Sequence, residues 1–344
     1  MPYNKIIIYY FSGTGNSRNV ASWVASSAGR NNIATEIYNI ALVDRTNIKP
    51  PEENTLVIFV SPIHGFNYPP LMFHFILRYP RGKGKILLMN TRAGMLIGKF
   101  ITPGLTGCAF WLSSLVLMSK GYEIKGMIPV DLPSNWMSLH PSLNDRTVKF
   151  LHEKNREKVE RYADKIFSGK SSFKALREII QDLLVSPISL LYYFFGRFFI
   201  AKTFYASHNC NQCDICINKC PAKAIIKIDN RPYWTFKCES CMQCMSLCPM
   251  RAIETGHGFV LGIILVYSLL MPLVYRGMET YVFKVKSELL QFLLETGVYL
   301  LLIAVLYRIL HFAIRFKFIE RLVVYTSLTK FRFWGKRYRA LRQS

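Results

Sequence analysis

Short apolar runs alternate with polar, helix-period stretches over about the first 130 residues. Residues 5–11 (KIIIYYF), 34–40 (ATEIYNI), 55–61 (TLVIFVS), 85–91 (KILLMNT) and 122–132 (YEIKGMIPVDL) read as five strands with helices between them. Strands apolar on both faces belong to a parallel sheet covered on both sides, so the order predicts a doubly wound α/β domain. From Asp145 onward Val148, Leu151, Val159, Tyr162 and Ile166 recur at helical spacing against a charged face, which predicts a last helix over the sheet.

The pattern then changes. Residues 183–200 (LLVSPISLLYYFFGRFFI) approach the apolar content of a spanning helix, interrupted by Pro187 and Arg197. A crossing there would put the segments before and after it on opposite sides of a membrane. An interfacial or packed helical pair is expected instead, with an ordinary buried linker helix as the alternative. Residues 259–275 (FVLGIILVYSLLMPLVY) hold no charge and 289–307 (LLQFLLETGVYLLLIAVLY) hold only Glu295, which predicts a transmembrane α-hairpin. Glu295 reads first as a helix-pairing group, and after that as a site of quinone-linked protonation, as does His311 beside it.

Charge narrows the class of partner. The net charge of +23 suits nucleic acid, an anionic membrane or an acidic protein. Ten of the 44 Lys and Arg residues fall in the last 37 positions, after the apolar stretch, with Glu320 the one acid there. That placement favours membrane lipid and predicts no nucleic acid. The hairpin loop carries fewer cations, Arg276, Lys284 and Lys286, so the tail is expected in the cytoplasm, with Trp334 and Tyr338 at headgroup level.

Eight of the nine cysteines lie between Cys210 and Cys248, and Cys108 stands apart as a small core side chain. The apolar run near the N-terminus is too short for a secretory signal, so metal binding is expected rather than disulfides. CNQCDICINKCP (210–221) and CESCMQCMSLCP (238–249) each read C-x2-C-x2-C-x3-C-P, the bacterial ferredoxin run for [4Fe-4S] clusters. In that pattern three thiolates wrap one face of a cube and the fourth reaches the other cluster. This assigns Cys210, Cys213, Cys216 and Cys248 to one centre, and Cys238, Cys241, Cys244 and Cys220 to the second. Structural zinc is the alternative, and it leaves so regular a set over-specified. Residues 207–255 resemble the two-cluster bacterial ferredoxins.

After the first strand comes FSGTGNSRNVA, in which Ser12, Gly13, Thr14, Gly15, Asn16 and Ser17 open a helix. Backbone N–H groups, hydroxyls and a helix N-terminus make such a loop a phosphate site, though an ordinary strand-to-helix turn has the same look. A dinucleotide fingerprint needs glycine where Arg18 stands, so a mononucleotide fits better. SPIHGFNYPP and NTRAGMLIG follow the third and fourth strands at their carboxyl ends, where this architecture binds ligands. Together these loops resemble flavodoxin over residues 3–165. The resemblance implies FMN, with its phosphate at 12–17 and its ring between Ile63, His64, Gly65 and Phe66 on one side and Thr91, Arg92, Ala93 and Gly94 on the other. TRAGMLIG lacks the aromatic that flavodoxins often place there. His64 reads first as a loop hydrogen-bonding residue; it or Arg92 could also stabilise a reduced, anionic flavin. His208 and His257 flank the cysteine region and read as surface residues before tuning ones.

The order of parts resembles the flavodoxin/ferredoxin fusion proteins of anaerobes, with an added membrane hairpin. The expected fold is an α/β flavodoxin-like doubly wound parallel sheet, a small α+β ferredoxin domain with two [4Fe-4S] clusters, and the transmembrane α-hairpin. Expected boundaries are 1–168 for the FMN domain, 169–206 for a helical linker, 207–257 for the clusters, 258–310 for the hairpin and 311–344 for a basic tail. The implied function is electron transfer between FMN, clusters and a redox protein at the cytoplasmic face of the cell membrane. A flavin-dependent quinone or small-substrate reductase and a redox-sensing membrane module are the alternatives.

Overall fold

In the computed structural model of the chain, residues 2–45, 48–97, 100–281 and 288–334 are described. They form two compact units, one holding the residues up to Met137 and Pro141–Tyr193, the other Ser138–His140 and the residues from Phe194 onward.

The first unit runs β1 (Lys5–Tyr10), α1 (Asn16–Arg30), β2 (Ala34–Asn39), β3 (Thr55–Pro62), α2 (Pro70–Arg78), β4 (Lys85–Ile97), β5 (Phe100–Thr102), α3 (Ala109–Ser119), β6 (Glu123–Pro133), α4 (Asp145–Phe167), β7 (Ser172–Phe173) and α5 (Ile179–Leu191). The main sheet is parallel in the order β2-β1-β3-β4-β6-β7. Its first five strands follow the 2-1-3-4-5 order of flavodoxin-like sheets, with the switch point between β1 and β3. β3 is buried from Thr55 to Ser61, as a central strand covered on both faces must be.

One face of the sheet packs against α1 and α4. Val20, Trp23 and Val24 meet Ile6, Ile8, Val130, Val159 and Ile166 in a continuous core, each large apolar side chain contributing about 1.5–3 kcal/mol by leaving water. Asn144 caps α4 by accepting from the Thr147 N–H at 2.8 Å. The fourth strand does not end at Thr91. It continues beside β6 as far as Gly94–Pro133 and then forms a hairpin with β5.

Beyond α4 the chain stays with this unit to Tyr193. Ion pairing of Glu178 with Arg92, and hydrogen bonds from the Gly107 N–H to Asp182 (2.8 Å) and from Ser189 Oγ to the Phe66 carbonyl (3.0 Å), hold α5 in place. Ile180, Leu183 and Leu184 point outward and are exposed.

The second unit holds α6 (Arg197–Ala201), β8 (Phe204–Ala206), α7 (Ile215–Asn218), β9 (Ile225–Ile228), β10 (Arg231–Trp234), α8 (Gln243–Leu247), β11 (Ile253–Thr255), α9 (His257–Tyr281), α10 (Glu288–Ala313) and α11 (Lys317–Tyr325). A π-helical turn at Tyr192–Gly196 joins α5 to α6, so the expected helical pair is one irregular run. Among the described residues three helices are long and apolar enough to cross a membrane: Lys174–Ala201, His257–Gly277 and Glu288–Ala313. α9 and α10 pair through the Tyr275 hydroxyl, which donates to Glu295, in keeping with the helix-pairing role read for that carboxylate. Lys284, Lys286, Tyr338 and the tail's last ten residues, 335–344, lie outside the described residues.

Candidate cofactor sites

The small domain is built from a repeat. Its second half reproduces the first 28 positions later, down to the backbone: Gln212 and Ser240, Asp214 and Met242, and Lys223 and Arg251 all adopt positive φ at equivalent places. The Ala224 and Ala252 N–H groups each donate to the sulfur of the cysteine four residues earlier, Cys220 and Cys248, at 3.3 Å. The hairpin β9–β10 lies between the two halves, and the antiparallel pair β8–β11 closes the ends of the repeat.

This repeat crosses its cysteines. The Cys216 thiol interacts with Cys210, Cys248 and Cys213, whereas Cys241 and Cys244 interact with Cys238 and Cys220. Each quartet thus takes three sulfurs from one half and one from the other. Burial, reinforced by these neighbouring sulfurs, pushes the Cys216 and Cys238 thiols up to about 12. Thiolates so disfavoured on their own call for strong cationic ligation. Among the described residues no three His, Cys, Asp or Glu side chains converge around a point as a single ion requires. Two quartets that share their fourth cysteines crosswise fit a pair of iron–sulfur cubes better than lone tetrahedral zinc ions. A further fit is the Trp234 indole N–H, which is buried and directed at the Cys244 sulfur.

Beside the second quartet lies Lys202, 2% exposed. Its ammonium donates to the Trp234 carbonyl at 2.6 Å and sits 4.4–4.8 Å from the ring centres of Phe236, Tyr233 and Tyr307. Burial pulls its pKa down to about 8, against the opposing pull of Cys238. Tyr307, on α10, donates to the Phe204 carbonyl at 2.8 Å and accepts from the Trp234 N–H at 3.2 Å. The end of α10 is thereby fastened to the cysteine domain. His208 is also engaged, its ring nitrogen 3.1 Å from Glu320, and His257 accepts from the Leu328 N–H.

In the first unit, the 12–17 loop turns from β1 into α1 through Gly15, whose φ of 114° needs glycine. Ser12 Oγ accepts from the Gly15 N–H at 3.0 Å. Ser12, Gly13 and Thr14 stay partly exposed beside the helix N-terminus, so they and the backbone N–H groups could hold a phosphate. Asn16 and Ser17, expected at the phosphate, are turned inward: Asn16 Nδ2 donates to the Pro133 carbonyl and Ser17 Oγ pairs with Thr91 Oγ1 at 2.9 Å. Thr14 accepts from Asn135.

After β3, Ile63 donates to the Thr91 carbonyl, and residues 64–67 form a tight turn with Gly65 and Phe66 at φ 53° and 63°. The Phe66 backbone faces Gly107 rather than a ligand space. Arg92, expected to line the ring, is buried instead. Its guanidinium bonds Asp131 at 2.6 Å, Thr106 at 3.1 Å and both oxygens of Glu178, so its charge is spent within the fold. Burial alone would raise the Asp131 carboxyl, but Arg92 and Lys158 hold it below the ordinary carboxylate range. Gly94 is demanded by packing, since a Cβ there would lie 2.7 Å from the Asp131 carbonyl. Ala93 remains exposed.

Two aromatics not foreseen from the sequence complete this site. Trp136, just after β6, stacks on His64 with ring centres 5.8 Å apart and planes 18° apart. Tyr192 meets Trp136 edge-on at 5.5 Å and lies directly over Gly65. Neither aromatic belongs to TRAGMLIG: Trp136 lies in PSNWMSL and Tyr192 in the turn after α5. The sequence signal was a tryptophan at the carboxyl end of the fifth main-sheet strand. Polar loop, helix N-terminus and aromatic bracket fit a mononucleotide with a flat ring.

The fold and these sites define a flavodoxin-like domain joined to a 4Fe-4S dicluster domain. Residues 209–253 match the 4Fe-4S dicluster domain family. Among curated proteins none matches the chain. Solved structures similar to it include a flavodoxin of Streptococcus pneumonia TIGR4 (15% identity, 48% of this chain and 99% of that one, TM-score 0.30). Flavodoxin 1 of Bacillus cereus is similar at 14% identity, over 45% of this chain and 97% of that one, with a TM-score of 0.29. Rubredoxin oxygen:oxidoreductase of Desulfovibrio gigas is similar at 14% identity, over 47% of this chain and 37% of that one, with a TM-score of 0.28. At these TM-scores the fold assignment rests on the strand order and not on the likeness.

Proposed function

We propose that the protein carries electrons between FMN in the first unit, two [4Fe-4S] clusters in the second, and a redox partner, while α9 and α10 anchor it in a membrane. FMN supplies one- or two-electron chemistry and each cluster one-electron chemistry, so joining them converts paired electrons into single ones. The chain's own residues bind and insulate. Ser12, Gly13 and Thr14 hold the phosphate end, the packed cluster of Trp136, His64 and Tyr192 offers the ring an aromatic edge on one side, and the crossed quartets hold the cubes. Arg92 acts on none of these directly; it locks β4, β6 and α5 together through Asp131 and Glu178.

The observation that carries this reading is the crossing of the two cysteine quartets, which ties both centres into one small fold. The redox domains and the C-terminal tail are assigned to the cytoplasmic side by the cations of the tail. The test is oxidation of the dithionite-reduced, reconstituted full chain by two acceptors. Fast electron release to a one-electron protein acceptor and slow release to a soluble quinone is expected. Multiple turnovers with the quinone alone would favour an enzyme over a carrier.

A further inference from the structure

We infer that Lys202 is the fixed counter-cation of the cluster bound by Cys220, Cys238, Cys241 and Cys244, and that it sets that centre's reduction potential apart from that of its twin. The inference rests on the two-cluster reading above.

The starting point is a charge without a visible partner. Lys202 is almost fully buried, and among the described residues no carboxylate lies within ion-pairing distance of it. The ammonium meets one carbonyl oxygen and three ring faces. Aromatic faces and a carbonyl attract an ammonium, but they do not neutralise it. An isolated buried charge costs several kcal/mol, and a well-packed apolar side chain of similar volume would serve the fold better. Trp234 ties Lys202 to the second quartet: its carbonyl takes the ammonium at 2.6 Å, and its indole N–H acts on the Cys244 sulfur.

An iron–sulfur cube held by four thiolates is an anion, and reduction adds one further negative charge. The electron comes from reduced flavin in the proposed function, or from dithionite in the test below, and the donor is oxidised by that one electron. No bond need form or break. A fixed ammonium in a site shielded from water stabilises the more negative, reduced form, and so raises the potential.

The repeat makes this effect one-sided. The positive-φ turns and the N–H···S contacts of Ala224 and Ala252 are matched between the halves, while the second quartet also takes the Ser240 N–H onto Cys238 at 3.4 Å and the Trp234 indole onto Cys244, so Lys202 adds its charge to the better shielded cage. Lys202 comes from outside the repeat, two residues before β8; in the other half the matching carbonyl, Ala206, accepts at 3.0 Å from Arg231, which is only partly buried, and Cys213 there is exposed. The ammonium also shares Tyr307 of α10 as one of its rings. The tuned centre is therefore the one next to the apolar hairpin.

The test is an EPR-monitored reductive titration of the anaerobically reconstituted full chain, comparing the parent with Lys202→Met and Lys202→Arg. Methionine keeps the volume and removes the charge. In Lys202→Met one of the two centres should become harder to reduce. Its oxidised-to-reduced ratio at a fixed potential should rise about tenfold, which is about 59 mV for a one-electron couple. The other centre should be unchanged, and Lys202→Arg should stay near the parent. Should Lys202→Met instead lose half its iron, restoration by Lys202→Arg but not by Lys202→Gln would support the same role. Unchanged potentials in Lys202→Met, or recovery of the iron with glutamine, would overturn it. A parent protein without any [4Fe-4S] signal would instead overturn the two-cluster reading itself.

Discussion

Cys248 closes a sulfur quartet with Cys216, from the other half of the repeat, and not with its own neighbour Cys244. Cysteines adjacent in sequence therefore serve different centres. Cys248→Ser and Cys216→Ser are expected to alter the same EPR signal, and Cys220→Ser and Cys238→Ser the other one. If Cys248→Ser perturbed the signal that responds to Cys238→Ser, the crossing would be wrong.

Removing the Arg92 guanidinium should destabilise the first unit far more than it changes flavin binding. Arg92→Met leaves Asp131 and Glu178 facing a buried gap, a loss of about 3–5 kcal/mol. Arg92→Met combined with Asp131→Asn should recover part of this, since the double variant removes one of the two carboxylates that Arg92 paired. Denaturant unfolding followed by tryptophan fluorescence measures both. A single variant within about 0.5 kcal/mol of the parent would show that the pairs are not structural.

Acid should weaken the same unit through His152. This ring is 5% exposed against the edge of Trp23, and burial lowers its pKa to about 4. With an unfolded value near 6.5, the unfolded chain takes up the proton first. Stability is then full above about pH 6.5 and falls as pH drops toward 4, by on the order of 2–3 kcal/mol. Asp131, held low, keeps its contribution until the pH falls below its ordinary value of about 3.9. Thermal unfolding at pH 7 and pH 5 should show the difference, and His152→Leu should flatten it; an equal slope in that variant would assign the loss elsewhere.

Around the ring site, Trp136→Ala should weaken FMN binding by roughly twofold to tenfold, the range of a lost aromatic contact. Gly65→Ala should do more harm. It places a Cβ at φ 53° about 2.0 Å from the Tyr192 ring, so both the turn and the ring must shift. Flavin fluorescence titration reads the affinity. Binding unaffected by either change would move the ring away from this bracket.

Much of the architecture was legible in local patterns. The five main strands, α4 and the two apolar helices of the hairpin follow directly from periodicity, and the C-x2-C-x2-C-x3-C-P repeat declares its chemistry by spacing alone. What escaped depends on partners distant in sequence. Arg92 looks like a ligand-facing cation until Glu178, 86 positions on, is seen to claim it. Asn16 and Ser17 look like phosphate ligands until Pro133 and Thr91 take their hydrogen bonds. Trp136, Tyr192 and Lys202 have no motif around them, and only the fold gives them neighbours. TRAGMLIG read as a loop after the fourth strand, whereas Gly94 permits the close approach of β4 to β6 that prolongs the strand.

The most direct test of the account is to purify the full chain anaerobically, reconstitute it, and quantify iron, acid-labile sulfide, zinc and flavin before recording EPR spectra on stepwise reduction. The account predicts iron and sulfide in the proportion of two [4Fe-4S] cubes per FMN, with two magnetically interacting centres appearing on reduction. Stoichiometric zinc in place of iron, or a chain that takes up no flavin, would contradict it.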